Sequence, residues 1–301
     1  MQHERPCPVC CAASGSATVF LEENIDPSKL SASSFASRKP PEFMSHLLVR
    51  CSVCSLVYAP HPPTQDTLAA AYHEAAYDSA QEAQDAADSY MHALAPVLRR
   101  LSGQRAALEI GTGTGVFLEQ LEHAGFTELV GIEPSLAAIG AAPAHRLPWI
   151  RVGIFKESDF EPESFDLICC FMTMEHVVEP AEIAQAALRL LRPGGAFVTV
   201  THDYQSIVNR MLGRRSPIID VEHMQLFSER SLRELFQRCG YRELDLRAFV
   251  NRYRLKYWVR LAPLPRGAKS VLEGWLGRSS LGQVMLGVNV GNTLCAGFKP
   301  V

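Results

Sequence analysis

The chain has 301 residues, with 29 lysines and arginines against 32 aspartates and glutamates and a net charge of -3. That length supports one substantial core plus a small appendage, and the balanced charge makes no case for a nucleic-acid surface. No apolar run is long enough to cross a bilayer, and the opening MQHERPCPVC lacks the apolar core of a secretory signal. A soluble, cytoplasmic protein with largely reduced thiols is therefore expected.

The first sixty residues carry two paired cysteines, Cys7-x-x-Cys10 and Cys51-x-x-Cys54, about forty residues apart. Each pair can place two sulfurs on one face of a tight turn, and together they supply a tetrahedral set for a structural Zn2+. A redox pair or two unrelated turns are the alternatives, and the adjacent Cys11 competes as a ligand. The intervening polar stretch has little core of its own, so a metal would solve a stability problem. Residues 1–60 are read as a zinc-binding ribbon, with Phe43–Val49 and Leu56–Tyr58 as short strands beside the second knuckle. Residues 61–100 are read as a helical connector and lid, rich in Ala, Gln, Glu and Asp, with Tyr72, Tyr77 and Tyr90 recurring along it.

Residues 101–301 alternate strand-like and helix-like patterns. Ala106–Ile110 is the first strand of an α/β core and runs into three alternating glycines, Gly111, Gly113 and Gly115. Such glycines allow a tight turn and a close backbone approach to a ligand. A helix from about Val116 to Ala124 stops at Gly125. Leu129–Ile132 is the second strand, and Glu133 at its end can accept hydrogen bonds from a ribose diol over the glycine turn. Further strands are expected near Ile150–Ile154, Phe165–Phe171, Ala196–Val200, Arg242–Phe249 and Thr293–Phe298. Helices are expected from Leu136, over Ala181–Leu191, and over Ser231–Cys239 with Ser228 as cap. Tyr253–Leu264 and Lys269–Leu286 read as helical insertions on the substrate side.

What kind of nucleoside the turn would take depends on Glu109. A carboxylate just before the turn tends to repel phosphate but can face an ammonium group. The order E-x-G-x-G-x-G resembles motif I of class I S-adenosylmethionine-dependent methyltransferases. The resemblance continues through Ser164–Cys170 (SFDLICC), Met174–Pro180 (MEHVVEP) and Leu190–Val200 (LLRPGGAFVTV). It implies a seven-stranded Rossmann-like sheet, its last strand antiparallel at the edge, joined to an N-terminal zinc ribbon and a helical cover. It also implies S-adenosyl-L-methionine as cofactor, with Glu109 and Gly111–Gly115 at the methionine portion and Glu133 at the ribose. Phe155 packing on the adenine ring and Asp159 meeting its edge complete that expected pocket.

Two histidines stand where chemistry is expected. His176 follows the fourth strand, in a loop that can face the transferable methyl group; stabilising that loop is its structural alternative. His223, preceded by Glu222, has an intrinsic pKa suited to taking a proton from a hydroxyl or carbon acid. The four cysteines, the tyrosine-bearing connector and this Glu-His pair together resemble the front part of zinc-containing deoxysugar C-methyltransferases. That resemblance implies Tyr77, Glu222 and His223 as a catalytic group, with Tyr72 as the alternative tyrosine.

Those enzymes carry a large further C-terminal domain, whereas this chain ends soon after the expected seventh strand. O-methylation of a saccharide precursor or another small natural product thus stands beside C-methylation. The leading expectation is methyl transfer to a small-molecule acceptor, a carbohydrate or secondary-metabolite intermediate. A cofactor-binding regulatory protein without catalysis, or an RNA or protein methyltransferase, is the alternative. Monomer and homodimer both remain open. The basic cluster Arg210–Arg215 can bind an anionic group.

Overall fold

The computed structural model describes residues 5–36, 42–75, 80–262 and 264–301. In chain order the first strands are β1 (Ala17–Leu21), β2 (Leu48–Cys51) and β3 (Val57–Tyr58), followed by helices α1 (Gln65–His73) and α2 (Ala80–Leu98). The alternating section opens with β4 (Ala106–Ile110), α3 (Val116–His123), β5 (Glu128–Glu133) and α4 (Leu136–Gly140). It continues with β6 (Ile150–Val152), β7 (Phe165–Phe171), α5 (Pro180–Leu190) and β8 (Leu191–His202). After it come α6 (Ile207–Leu212), β9 (Gln225–Leu226), α7 (Glu229–Cys239), β10 (Arg242–Ala248) and β11 (Asn251–Arg254). Helices α8 (Leu255–Leu261) and α9 (Arg266–Arg278) and strands β12 (Met285–Val288) and β13 (Asn292–Phe298) complete the chain.

Seven strands form one sheet in the order β10-β13-β8-β7-β4-β5-β6. Six run in the same direction, and β13 alone runs antiparallel, between β8 and β10. All seven expected strands of this sheet are present. Every residue of β4 and β7 is buried, as expected of parallel strands covered on both faces. Asp166, in the SFD segment, serves this architecture: its carboxylate accepts the backbone N–H groups of Arg105 (2.8 Å) and Ala106 (2.9 Å) where β4 begins.

One face is covered by α2 and α3, where Tyr90 packs against Phe171 at 4.8 Å between ring centroids. The other face takes α5 and α7. Helix α7 starts at Ser228, whose side chain and that of Ser231 form a reciprocal capping box. Its Phe236 then stacks on Phe197 of β8 at 5.5 Å. Burying each such side chain contributes roughly 1.5–3 kcal/mol.

The N-terminal strands make a second sheet in the order β1-β2-β3-β9, so its last strand comes from beyond the large sheet's fifth strand. Neither β1 nor β9 is among the expected strands, and β2 begins at Leu48, later than the expected Phe43–Val49. The C-terminal insertions also differ from expectation. Rather than being wholly helical, they begin and end in β11 and β12, which pair antiparallel from Asn251↔Val288 to Arg254↔Met285. Asn251 and Tyr253 point inward while Arg252 is exposed, a two-residue alternation too short to stand out beside the helix-forming run that follows.

Candidate functional site

A cavity of about 320 Å3 opens at the C-terminal ends of β4, β5, β7 and β8, beneath α1 and α2. Its volume lies at the lower end of the range for small-molecule sites, about 300–1,000 Å3. The glycine turn forms one wall. Gly111 has φ +80°, and a Cβ there would collide with the Thr173 side chain, so the position is closed to other residues. Gly113 has φ +56°, and a Cβ there would meet nothing within 4 Å, leaving open space beside its Cα. Gly115 precedes α3 with φ +71°.

Two carboxylates flank this turn. Glu109, buried at the end of β4, accepts a hydrogen bond from the Thr112 hydroxyl. Glu133, at the end of β5, accepts from the backbone N–H of Gly113 (2.7 Å) and of Ser135 (2.8 Å). Burial raises the Glu133 pKa, and these two N–H groups partly offset it. Both carboxylates line the cavity with Gly111 and Gly113. Phe155 and Asp159 do not. Phe155 stacks on Phe160 with 6.1 Å between centroids, and Asp159 is exposed in the turn that follows β6.

The opposite wall gathers His176, Glu222 and His223, all three lining the same cavity. The imidazoles of His176 and His223 lie 4.9 Å apart, and His176 Nδ1 is 3.8 Å from Glu222 Oε2. His223 Nδ1 lies 2.8 Å from the carbonyl oxygen of Ile218. A carbonyl only accepts, so Nδ1 carries the proton and Nε2 is the nitrogen able to take another. One ligand atom from each of the three residues falls within 4.8 Å of the others, a spacing that also suits a divalent ion.

Contacts that the sequence reading did not contain hold this wall in place. Gln225 of β9 donates through Nε2 to the carbonyls of Met174 and Val177, on either side of His176. The backbone N–H of Met224 donates to the Glu175 carbonyl at 2.8 Å. Glu175 itself is fully buried, with its Oε1 accepting the His202 N–H at 2.8 Å, and burial pushes its carboxyl up to about 7. His202 lines the cavity too, because β8 runs past Val200 to carry it there. Its Nδ1 lies 2.8 Å from Asn292 Oδ1; burial, then the neighbouring His223, hold its pKa down at about 3, so it is neutral.

Of the connector tyrosines, Tyr77 lies outside the described residues. Tyr72, on α1, reaches the cavity and sets its hydroxyl 2.9 Å from His176 Nδ1. Burial, then the charges of Glu222 and Asp220, push its phenol well above the ordinary value. It therefore stays protonated.

The four cysteines meet away from this cavity, in the N-terminal section. Cys7 Sγ lies 3.5 Å from Cys54 Sγ, and Cys10 Sγ 3.5 Å from Cys51 Sγ. All four sulfurs are buried and within 4.8 Å of one another, and Cys11 is exposed and outside the set. Four thiol groups so arranged fit a tetrahedral metal ion with metal–sulfur bonds of about 2.3 Å.

Residues 80–246, over half of the chain, match a model described as a methyltransferase domain. The chain belongs to this family. S-adenosylmethionine is the cofactor that membership supports, and the open space beside the Gly113 Cα, between two carboxylates, fits it. Similar proteins include the ubiquinone biosynthesis O-methyltransferase of Burkholderia vietnamiensis, 31% identical over 121 residues, covering 38% of this chain and 51% of that protein. The protein of the same name from Methylococcus capsulatus is 29% identical over 117 residues, covering 36% and 49%. The methyltransferase chain thus spans about half the length of the curated relatives it matches. Among solved structures, a possible histamine N-methyltransferase from Thermotoga maritima superposes with a TM-score of 0.48 at 20% identity, covering 72% of this chain and 90% of that one. Among the described residues, no helix of this methyltransferase is long and apolar enough to cross a membrane.

Proposed function

We propose that this chain transfers the methyl group of S-adenosylmethionine to a small-molecule acceptor bound between the glycine turn and His223. The observation that carries the reading is convergence on one cavity: Gly113 and Glu133 on one wall, His176, Glu222 and His223 on the other. When bound, the cofactor supplies an electrophilic methyl on a sulfonium. Glu133 would hold the ribose hydroxyls, and Glu109 would face the methionine end. His223 Nε2 would accept the proton of the acceptor's nucleophile, with Glu222 and His176 orienting it and Tyr72 closing the cavity over them. Most of the rate would come from alignment of nucleophile and methyl carbon, with proton removal adding about 10²–10⁴-fold.

A hydroxyl-bearing acceptor is the class we infer, a carbohydrate or secondary-metabolite intermediate. The relatives named as O-methyltransferases support oxygen as the methylated atom, and the cysteine-rich front part resembling the deoxysugar enzymes supports a carbohydrate. The four-cysteine cluster would hold a structural Zn2+ in a ribbon spanning residues 1–60. With every coordination position supplied by thiolate, that ion would order the N-terminal sheet rather than activate water. Residues 61–100 would then form the lid, and 101–301 the catalytic unit.

Equilibrium binding of S-adenosylmethionine and S-adenosylhomocysteine to metal-loaded protein tests the first step, and methyl-labelled cofactor with a panel of sugars and phenols tests the second. Label in a small-molecule product is the expected result. Failure to bind either nucleoside overturns the reading, and binding without turnover across the panel favours a regulatory role.

A further inference from the structure

A second cavity, of about 700 Å3, lies where the N-terminal sheet meets the segment after β8. Three arginines from separate elements line it: Arg50 of β2, Arg210 of α6 and Arg214 of the turn that follows. Among the described residues, no carboxylate is in its lining. In a chain of net charge -3, this is a local concentration of positive charge around a concave surface. The floor is fixed. Tyr204 donates its hydroxyl to the Ser55 carbonyl at 2.8 Å and accepts from Gln205 Nε2 at 3.0 Å. Phe20 packs edge-on to the Tyr204 ring at 5.4 Å, adding an aromatic part to the same lining.

We infer that this cavity is a binding site for the phosphate or diphosphate group of a small phosphate ester. Guanidinium groups present planar forks that match phosphate oxygens, and three from different directions can surround a tetrahedral anion or bridge two. A bare carboxylate would leave much of that donor set unused. The site is separate from the cofactor cavity but shares a wall with it. Ile218 lines the arginine cavity, while its own carbonyl oxygen accepts the Nδ1 hydrogen bond of His223; Pro217 and Asp220 face the other side.

The test is calorimetric titration of the full, metal-loaded chain with inorganic pyrophosphate, uridine diphosphate and sulfate. Pyrophosphate is expected to bind at least tenfold more tightly than sulfate. In the double variant Arg50→Gln/Arg214→Gln its affinity should fall at least tenfold, with S-adenosylhomocysteine affinity unchanged. The double lysine variant should recover only part of the loss, because the charge returns without the fork. Tighter binding of uridine diphosphate than pyrophosphate would identify a nucleoside carrier against the aromatic part of the lining; equal binding would identify the phosphate ester alone. Both outcomes sustain the site. Sulfate binding as tightly as pyrophosphate, or pyrophosphate affinity untouched in the double glutamine variant, overturns it. S-adenosylhomocysteine binding in the same samples reports on the methyl-transfer reading independently.

Discussion

The hydroxyl of Tyr72 lies 2.9 Å from Nδ1 of His176, tying helix α1 of the cover to the loop that leaves β7. The tyrosine is half-buried and protonated, so removing its oxygen alone tests this tie without disturbing the ring that packs edge-on against Phe35. Tyr72→Phe is expected to speed release of S-adenosylhomocysteine by about 2–10-fold, the effect of losing a hydrogen bond of roughly 0.5–1.5 kcal/mol. Stopped-flow displacement measures it, and an unchanged release rate would remove Tyr72 from the closure.

Glu133 organises the turn before any ligand arrives, through the Gly113 and Ser135 N–H groups. Replacing it with alanine should weaken S-adenosylhomocysteine binding by about 1–3 kcal/mol, the usual cost of removing a charged hydrogen-bond partner. Calorimetry reads this directly. A thermal melt run alongside separates a lost ligand contact from a collapsed turn, and full affinity in a folded variant would refute the ribose assignment.

Glu175 predicts a pH dependence of stability. Burial raises its carboxyl from 4.5 to about 7, so the folded chain keeps a proton that the unfolded chain has lost across that window. Stability is fullest below about 4.5, declines as pH rises towards 7, and is level beyond it. The decline attributable to this group is on the order of 3 kcal/mol. Glu175→Gln should flatten that part of the curve in urea denaturation at pH 5 and pH 8, leaving the variant the more stable at the higher pH. Parallel curves for the two proteins would contradict the assignment.

The cysteine cluster predicts about one zinc per chain by elemental analysis. Cys54→Ser should abolish retention of the ion and lower the melting temperature. Cys11→Ser should alter neither, since Cys11 is exposed and outside the buried set. Retention of metal after loss of Cys54 would break the four-thiolate assignment.

The large sheet was legible in the sequence because its central strands β4 and β7 are buried throughout and its elements are punctuated by glycine and proline turns. The glycine turn was equally plain: three positive-φ glycines followed by a carboxylate at the next strand's end leave a local mark. His202 escaped notice because nothing in Thr201-His202 marks a strand running beyond its apolar stretch. Gln225 was invisible for a different reason. Its role lies in two backbone carbonyls some fifty residues upstream, a relationship no local pattern encodes. Phe155 and Asp159 stand outside the cavity lining, and the segment after β6 turns Phe155 onto Phe160.

The pairing of β3 with β9 has a consequence for how the molecule is made. Val57 waits for Leu226, which leaves the ribosome about 170 residues later. The cysteines can gather an ion early, whereas the outermost ladder of their sheet closes only when most of the polypeptide has been synthesised. Because Gln225 sits in that ladder and donates to carbonyls on either side of His176, the N-terminal sheet and the His176 loop share one late-synthesised strand.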